Sequence, residues 1–209
     1  MKTYSYLALG DSYTIGEQVP LFESFPYQAL ALLRKADINS TNLQHHFAAP
    51  EILAKTGWTT DELAAAIGQT IFLPQYDFVS LLIGVNNQYR GRTTADFKNE
   101  FDLLLQMAIQ FAGGDASRVF VLSIPDWGVT PFAKDRDRNK IVNEIDAFNA
   151  VCKTAAEASN CHFIDITESQ RADGNGPAFL AADELHPSGA EYKKWAEKLS
   201  VAILKTLAG

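Results

Sequence analysis

Two short stretches at opposite ends of the chain hold residue types suited to nucleophilic chemistry. Leu9 to Glu17 reads LGDSYTIGE, and Ser12 follows the apolar run from Tyr4 to Leu9. A strand running into Gly-Asp-Ser sets a hydroxyl at the carboxyl end of a sheet, where open α/β folds keep their ligands. The same three residue types favour turns for backbone reasons alone, so Ser12 taken singly reads equally well as a nucleophile or as a turn residue. Near the other end, DELHPSG places Asp183 three residues before His186. If the chain turns there, the Asp183 carboxylate can accept from one imidazole nitrogen and hold the tautomer whose other nitrogen faces a nucleophile. Pro187 pushes His186 toward extended backbone. Taken alone, the pair reads as a capped turn beside a surface histidine.

Two further stretches carry hydrogen-bond donors. In LLIGVNNQYRG an apolar run ends at Ile83 and passes through Gly84 to Asn86 and Asn87. An Asn amide at such a strand end can donate to an oxyanion, and losing one such donor typically costs about 100- to 1000-fold in rate; an ordinary Asn-Asn turn has the same appearance. In KTGWTTDEL, Gly57 precedes a helix start near Thr59, and a glycine N–H at such a place can face an anion. Trp58 and Trp127 follow these positions closely enough to be candidate pocket walls, although packing is the commoner fate of Trp. His45 and His46 point to opposite faces of a strand, so they do not make a metal site.

The elements that must position these residues alternate. Strand-like runs fall at Tyr4 to Leu9, Leu43 to Phe47, Phe78 to Ile83, Val119 to Ile124 and His162 to Ile166. Between them, apolar residues recur at helical spacing: Phe97, Phe101, Leu104, Leu105, Ala108 and Phe111 with Thr94 as N-cap; Ile141, Ile145, Phe148, Cys152 and Ala155; and Tyr192, Trp195, Leu199 and Ala202. Pro26 opens a helix through Lys35. Thr59-x-x-Glu62 and Ser188-x-x-Glu191 have the form of capping boxes. Alternating strands and helices predict a parallel sheet with right-handed crossovers and helices on both faces. The longest irregular stretch, Pro125 to Arg138, follows the fourth strand and carries six charged residues, so much of it is expected to be solvated.

At 209 residues the chain is expected to form one domain, residues 1–209. A net charge of -7 without a basic cluster argues against nucleic acid as a partner. No stretch approaches the length of a membrane span, so no membrane partner is expected and the expected compartment is the cytoplasm, or outside the cell if a leader was removed. Cys152 and Cys161 form no C-x-x-C and read as buried small hydrophobes.

Taken in order, Gly10-Asp11-Ser12, Gly57, Gly84-x-Asn86 and Asp183-x-x-His186 resemble the motifs of the SGNH hydrolase superfamily, the GDSL-type esterases and lipases, over nearly the whole chain. The resemblance implies a three-layer α/β/α sandwich with a five-stranded parallel sheet in flavodoxin-like order 2-1-3-4-5. It also implies a Ser-His-Asp triad of Ser12, His186 and Asp183, with Gly57 and Asn86 joining the Ser12 N–H as oxyanion donors. The expected reaction is hydrolysis of a small-molecule ester through an acyl-enzyme, with no metal or cofactor. The one long loop, too charged to cover a hydrocarbon chain, and the net charge of -7 favour acetyl to butyryl esters of a soluble alcohol or carbohydrate. Two positions depart from the family pattern: Tyr13 stands where the motif has Leu, and Asn87 where Asp usually follows the oxyanion Asn, which puts loop anchoring in doubt. The alternative is a non-catalytic flavodoxin-like module whose Gly10 to Gly16 loop holds a phosphate or flavin; it gives Asp183 and His186 no task.

Overall fold

The computed structural model describes residues 2–38 and 45–208. A central sheet is built from β2 (Tyr6–Gly10), β4 (Glu51–Ala54), β5 (Phe78–Leu82), β6 (Val119–Leu122) and β7 (His162–Ile164), all parallel. Its spatial order is β4-β2-β5-β6-β7, which is 2-1-3-4-5 when these strands are counted along the chain. The helices are α1 (Ser12–Ile15), α2 (Phe25–Ile38), α3 (Thr60–Ile67), α4 (Val85–Tyr89), α5 (Thr94–Phe111), α6 (Arg138–Ala158), α7 (Thr167–Asp173) and α8 (Gly189–Ala208). One helix layer is formed by α2 on α8, the other by α3, α5 and α6. Because both faces are covered, the inner strands are apolar throughout rather than alternating, and β2, β5 and β6 are fully buried. Ser80, the one polar residue of β5, pairs its hydroxyl with that of Tyr6 at 2.7 Å. That bond satisfies both buried groups.

The second strand is not where the sequence pattern puts it. Of Leu43 to Phe47, residues 43 and 44 lie outside the described residues. His45–Phe47 (β3) pairs with β1 (Lys2–Tyr4) in a separate two-stranded parallel sheet. The place beside β2 belongs to Glu51–Ala54. Two breaks, one on each segment and a residue apart along the ladder, explain the division. Pro50 has no N–H for a ladder. On the facing segment Ser5, just before β2, turns its N–H and hydroxyl to Asp77 Oδ2, at 2.9 and 3.1 Å.

The helices follow their apolar stripes. Phe97, Phe101, Leu104, Leu105 and Ala108 of α5 are buried, as are Ile141, Ile145, Phe148 and Cys152 of α6 and Tyr192, Trp195 and Leu199 of α8. A fully buried aliphatic or Phe side chain of this kind contributes about 1.5–3 kcal/mol of burial free energy. Some local assignments change. The N-cap of α5 is Thr93, whose hydroxyl accepts from Asp96 N at 3.1 Å, and not Thr94. At α3 the expected box forms, with Glu62 Oε2 accepting from Thr59 N at 2.9 Å. At α8 it does not: Ser188 Oγ accepts from Ala190 N, but Glu191 turns inward to Trp195 Nε1 at 3.0 Å and Lys194 Nζ at 2.8 Å. Burial of the Glu191 carboxylate among these donors outcompetes a solvent-side cap.

The Pro125 to Arg138 loop is solvated only in its second half. Residues 125–128, Thr130 and Ala133 are buried, and Asp126, wholly inaccessible, accepts from Gly128 N and pairs with Arg171 at 2.8 Å. Among the described residues no helix is long and apolar enough to cross a membrane.

Candidate active site

Ser12 opens α1 at the carboxyl end of β2. Asp11 caps that helix, its Oδ1 accepting from Tyr13 N at 3.1 Å, and Gly16 closes it at φ 74°. The turn requires glycine at position 10: a Cβ there would lie 2.4 Å from the Leu82 carbonyl oxygen. Gly84, at φ 130°, leaves β5 under the Phe97 ring, where a Cβ would approach to 2.8 Å. Both strand ends therefore deliver their polar residues to one end of the sheet.

His186 lies 174 residues from Ser12, and the structure joins them. Its Nε2 is 3.0 Å from Ser12 Oγ and its Nδ1 is 2.5 Å from Asp183 Oδ2. Asp183 Oδ1 accepts from the backbone N–H groups of Leu185 and His186, at 3.1 and 3.0 Å. Partial burial pushes the Asp183 carboxyl up, but the bonds from the His186 ring and those two amides outweigh it, and its pKa lies below the usual carboxylate value. An anion held at Nδ1 orients the ring, and Nε2 is in position to accept a hydroxyl proton. Glu184, at φ 58°, takes the left-handed conformation that lets Asp183 fold back on His186. Its carbonyl accepts from Phe132 N at 3.2 Å, tying this turn to the Pro125 to Arg138 loop.

Gly57 and Asn86 line the same cavity as Ser12 and His186, a space of about 210 Å³. The N–H groups of Ser12 and Gly57 have no hydrogen-bond partner among the described residues. Asn86 Nδ2 donates to the Trp58 carbonyl at 2.9 Å, which leaves its second N–H for another acceptor. Asn87 is wholly buried and resolves the anchoring question. Its Oδ1 accepts from Thr60 N at 3.1 Å and its Nδ2 donates to Thr60 Oγ1 at 2.6 Å, so the amide joins α4 to the first turn of α3. Tyr13 is buried, 5.5 Å from His186 and 6.1 Å from Trp195 between ring centroids.

Of the two tryptophans, Trp127 lines the cavity. Trp58 does not: its half-buried side chain packs against the core, and only its carbonyl serves the site, by holding Asn86. Sequence reasoning missed Tyr89 and Leu185 as walls and named Phe132 only as an apolar loop residue. Tyr89 was within reach, since it lies one helical turn after Asn86 and shares its face. Leu185 and Phe132 carry no such local signal.

A model of the GDSL-like lipase/acylhydrolase family matches residues 8–194. The chain belongs to that family. Membership carries carboxylic ester hydrolysis as its class of reaction, and it sets aside the flavodoxin-like binding module. Among solved structures, a lipase/acylhydrolase from Enterococcus faecalis is 23% identical with a TM-score of 0.68, over 97% of this chain and 95% of that one. An acetylxylan esterase from Geobacillus stearothermophilus is 19% identical with a TM-score of 0.68, over 99% and 94%. The psychrotrophic esterase EstA from Pseudoalteromonas sp., inhibited by monoethylphosphonate, is 15% identical with a TM-score of 0.66, over 99% and 100%. These likenesses show a common fold. None of the curated proteins matches the chain in sequence.

Proposed function

We propose that this GDSL-family protein is a serine esterase that hydrolyses short-chain acyl esters, acetyl to butyryl, of a soluble alcohol or carbohydrate through an acyl-enzyme on Ser12. The observation that carries the reading is the position of His186, 3.0 Å from Ser12 Oγ and 2.5 Å from Asp183. Ser12 Oγ attacks the ester carbonyl carbon as its proton passes to His186 Nε2. The negative charge on the carbonyl oxygen is met by the Ser12 and Gly57 N–H groups and the Asn86 amide. Collapse breaks the C–O bond to the alcohol, which takes the proton from His186. Water then repeats the sequence, giving up a proton to His186 and releasing the acid. A cavity of about 210 Å³ supports the short acyl group, since pockets for drug-sized ligands start at roughly 300 Å³. Acetylxylan esterases among the structural neighbours are consistent with an acetylated carbohydrate.

The test is labelling with a fluorophosphonate, read by intact mass. Wild type is expected to gain one phosphonyl group and lose turnover of p-nitrophenyl acetate, whereas Ser12→Ala is expected to take up no label and to turn over at least about 1000-fold more slowly. Turnover retained by folded Ser12→Ala would overturn the reading.

A further inference from the structure

Tyr89 and Trp127 line a second cavity as well as the catalytic one. Beside the catalytic cavity, a larger one of about 410 Å³ shares both residues and is otherwise lined largely by polar side chains, among them Gln88, Arg136, Lys140 and Glu144. The first space is walled by Val85, Phe132 and Leu185 as well as the two rings, and suits a short hydrocarbon. The second offers carboxylate, amide, ammonium and guanidinium.

The shared wall is held rigidly. Trp127 Nε1 donates to Gln88 Oε1 at 2.8 Å, and Gln88, itself nearly inaccessible, donates through Nε2 to Glu144 Oε2 at 2.7 Å. The Tyr89 ring stands edge-on to Trp127 with centroids 5.3 Å apart, yet Tyr89 remains 49% exposed. Its free area is thus open to a ligand, beside a Trp127 ring that its indole hydrogen bond holds in place. The Arg136 guanidinium has no partner among the described residues, and Lys140 reaches Glu144 only at 3.7 Å. These are groups able to bond a ligand without first breaking a strong internal contact.

Building on the ester reading above, we infer that the second cavity is an alcohol-side subsite that takes a hydroxylated ring, a pyranose. An ester bound at Ser12 has two ends. With the acyl group in the small apolar cavity, the alcohol needs a neighbouring space, and the second cavity, which shares Tyr89 and Trp127 with the first, provides one. A pyranose has apolar C–H faces that pack on an aromatic ring and a rim of hydroxyls that both donate and accept. Glu144 supplies acceptors, and Arg136 and Lys140 supply donors. With two cationic and two acidic side chains, Asp137 and Glu144, around the cavity, its charges balance, which fits a neutral polyhydroxyl group better than an anion.

The experiment has two arms, one of which does not depend on turnover. In Ser12→Ala protein, the indole N–H signals of the three tryptophans are followed by NMR as methyl β-xylopyranoside is added. The Trp127 signal is expected to shift saturably below about 100 mM, and Arg136→Ala in the same background is expected to weaken that binding by about 5-fold or more. In the otherwise native enzyme, the ratio of kcat/KM for a monoacetylated methyl xylopyranoside to that for methyl acetate is expected to fall about 10-fold in Tyr89→Ala and in Arg136→Ala. A Trp127 signal that never moves, or a ratio that both variants leave where it was, overturns the subsite. Failure of wild type to hydrolyse methyl acetate at all would instead overturn the esterase reading and this inference with it, so the two failures are told apart.

Discussion

Directly before the nucleophile candidate sits a carboxyl group with an unusual setting. Asp11 is inaccessible, Oδ1 is engaged by Tyr13 N, and Oδ2 has no partner, as is also true of the neighbouring Thr14 hydroxyl. Burial pushes the Asp11 carboxyl up to about 7, with the Tyr13 amide offsetting part of the rise. An unfolded Asp titrates near about 3.9. Between those values the folded chain holds a proton the unfolded chain lacks, so this group's contribution to stability falls as pH rises from about 4 to about 7 and is level above that. Asp11→Asn keeps an acceptor for Tyr13 N and removes the titration. Thermal melts across pH 4 to 8 are expected to show a shallower loss in the variant, and greater stability than wild type at pH 8, on the order of a few kcal/mol; parallel curves would contradict the burial argument. Glu184 makes a second case at this scale. Its φ of 58° is left-handed. That conformation costs a side-chain-bearing residue about 1–2 kcal/mol. Glu184→Gly is expected to keep or raise the denaturation midpoint. Glu184→Val is expected to lower stability by about 1–2 kcal/mol and to reduce kcat, because Asp183 and His186 flank the distorted turn. Equal midpoints for the two variants would sink this account.

Among the elements, Gly57 and Asn86 sit beside a junction between helices. Asn87 bridges α4 to α3 through both atoms of its amide, and the Thr60 hydroxyl is also bonded to Glu100 of α5. Asn87→Ala would leave the Thr60 N–H buried without an acceptor, a loss of about 1–3 kcal/mol. Urea denaturation is expected to show it, together with a fall in kcat on p-nitrophenyl acetate as Gly57 and Asn86 lose their fixed spacing. A midpoint and a kcat both unaltered would mean the junction is redundant. The elements themselves were unequally legible. Stripes such as Phe97, Phe101 and Leu104 declared their helices because a helical period is written into one stretch of chain. The Thr93 cap and the inward turn of Glu191 were misplaced because a cap is chosen among neighbours by what else can satisfy them. The buried Trp195 indole claimed Glu191 from across the helix turn.

Over the whole molecule, the cavity is assembled from separated segments: the Ser12 turn, the Gly57 loop, residues 85–89, the loop carrying Trp127 and Phe132, and the turn at Leu185 and His186. Its small volume sets the expectation for acyl length. Across p-nitrophenyl acetate, butyrate, octanoate and palmitate, kcat/KM is expected to peak at acetate or butyrate, since later methylenes find no apolar surface to gain the roughly 0.8 kcal/mol each would otherwise bring. A maximum at octanoate or beyond would show a longer acyl channel. The α/β class, the four motifs and the strand ends or turns that carry them were legible in the sequence, because apolar period, turn residues and the Gly10 and Gly84 exits are properties of contiguous chain. That Glu51–Ala54 and not His45–Phe47 flanks β2 came from the three-dimensional packing, for strand pairing depends on the partner's break at Ser5 as much as on the strand's own residues. That packing also decided that Tyr89, Phe132 and Leu185 wall the cavity while Trp58 does not. A side chain's destination is set by what packs against it, and here the packing partners come from segments up to 174 residues apart.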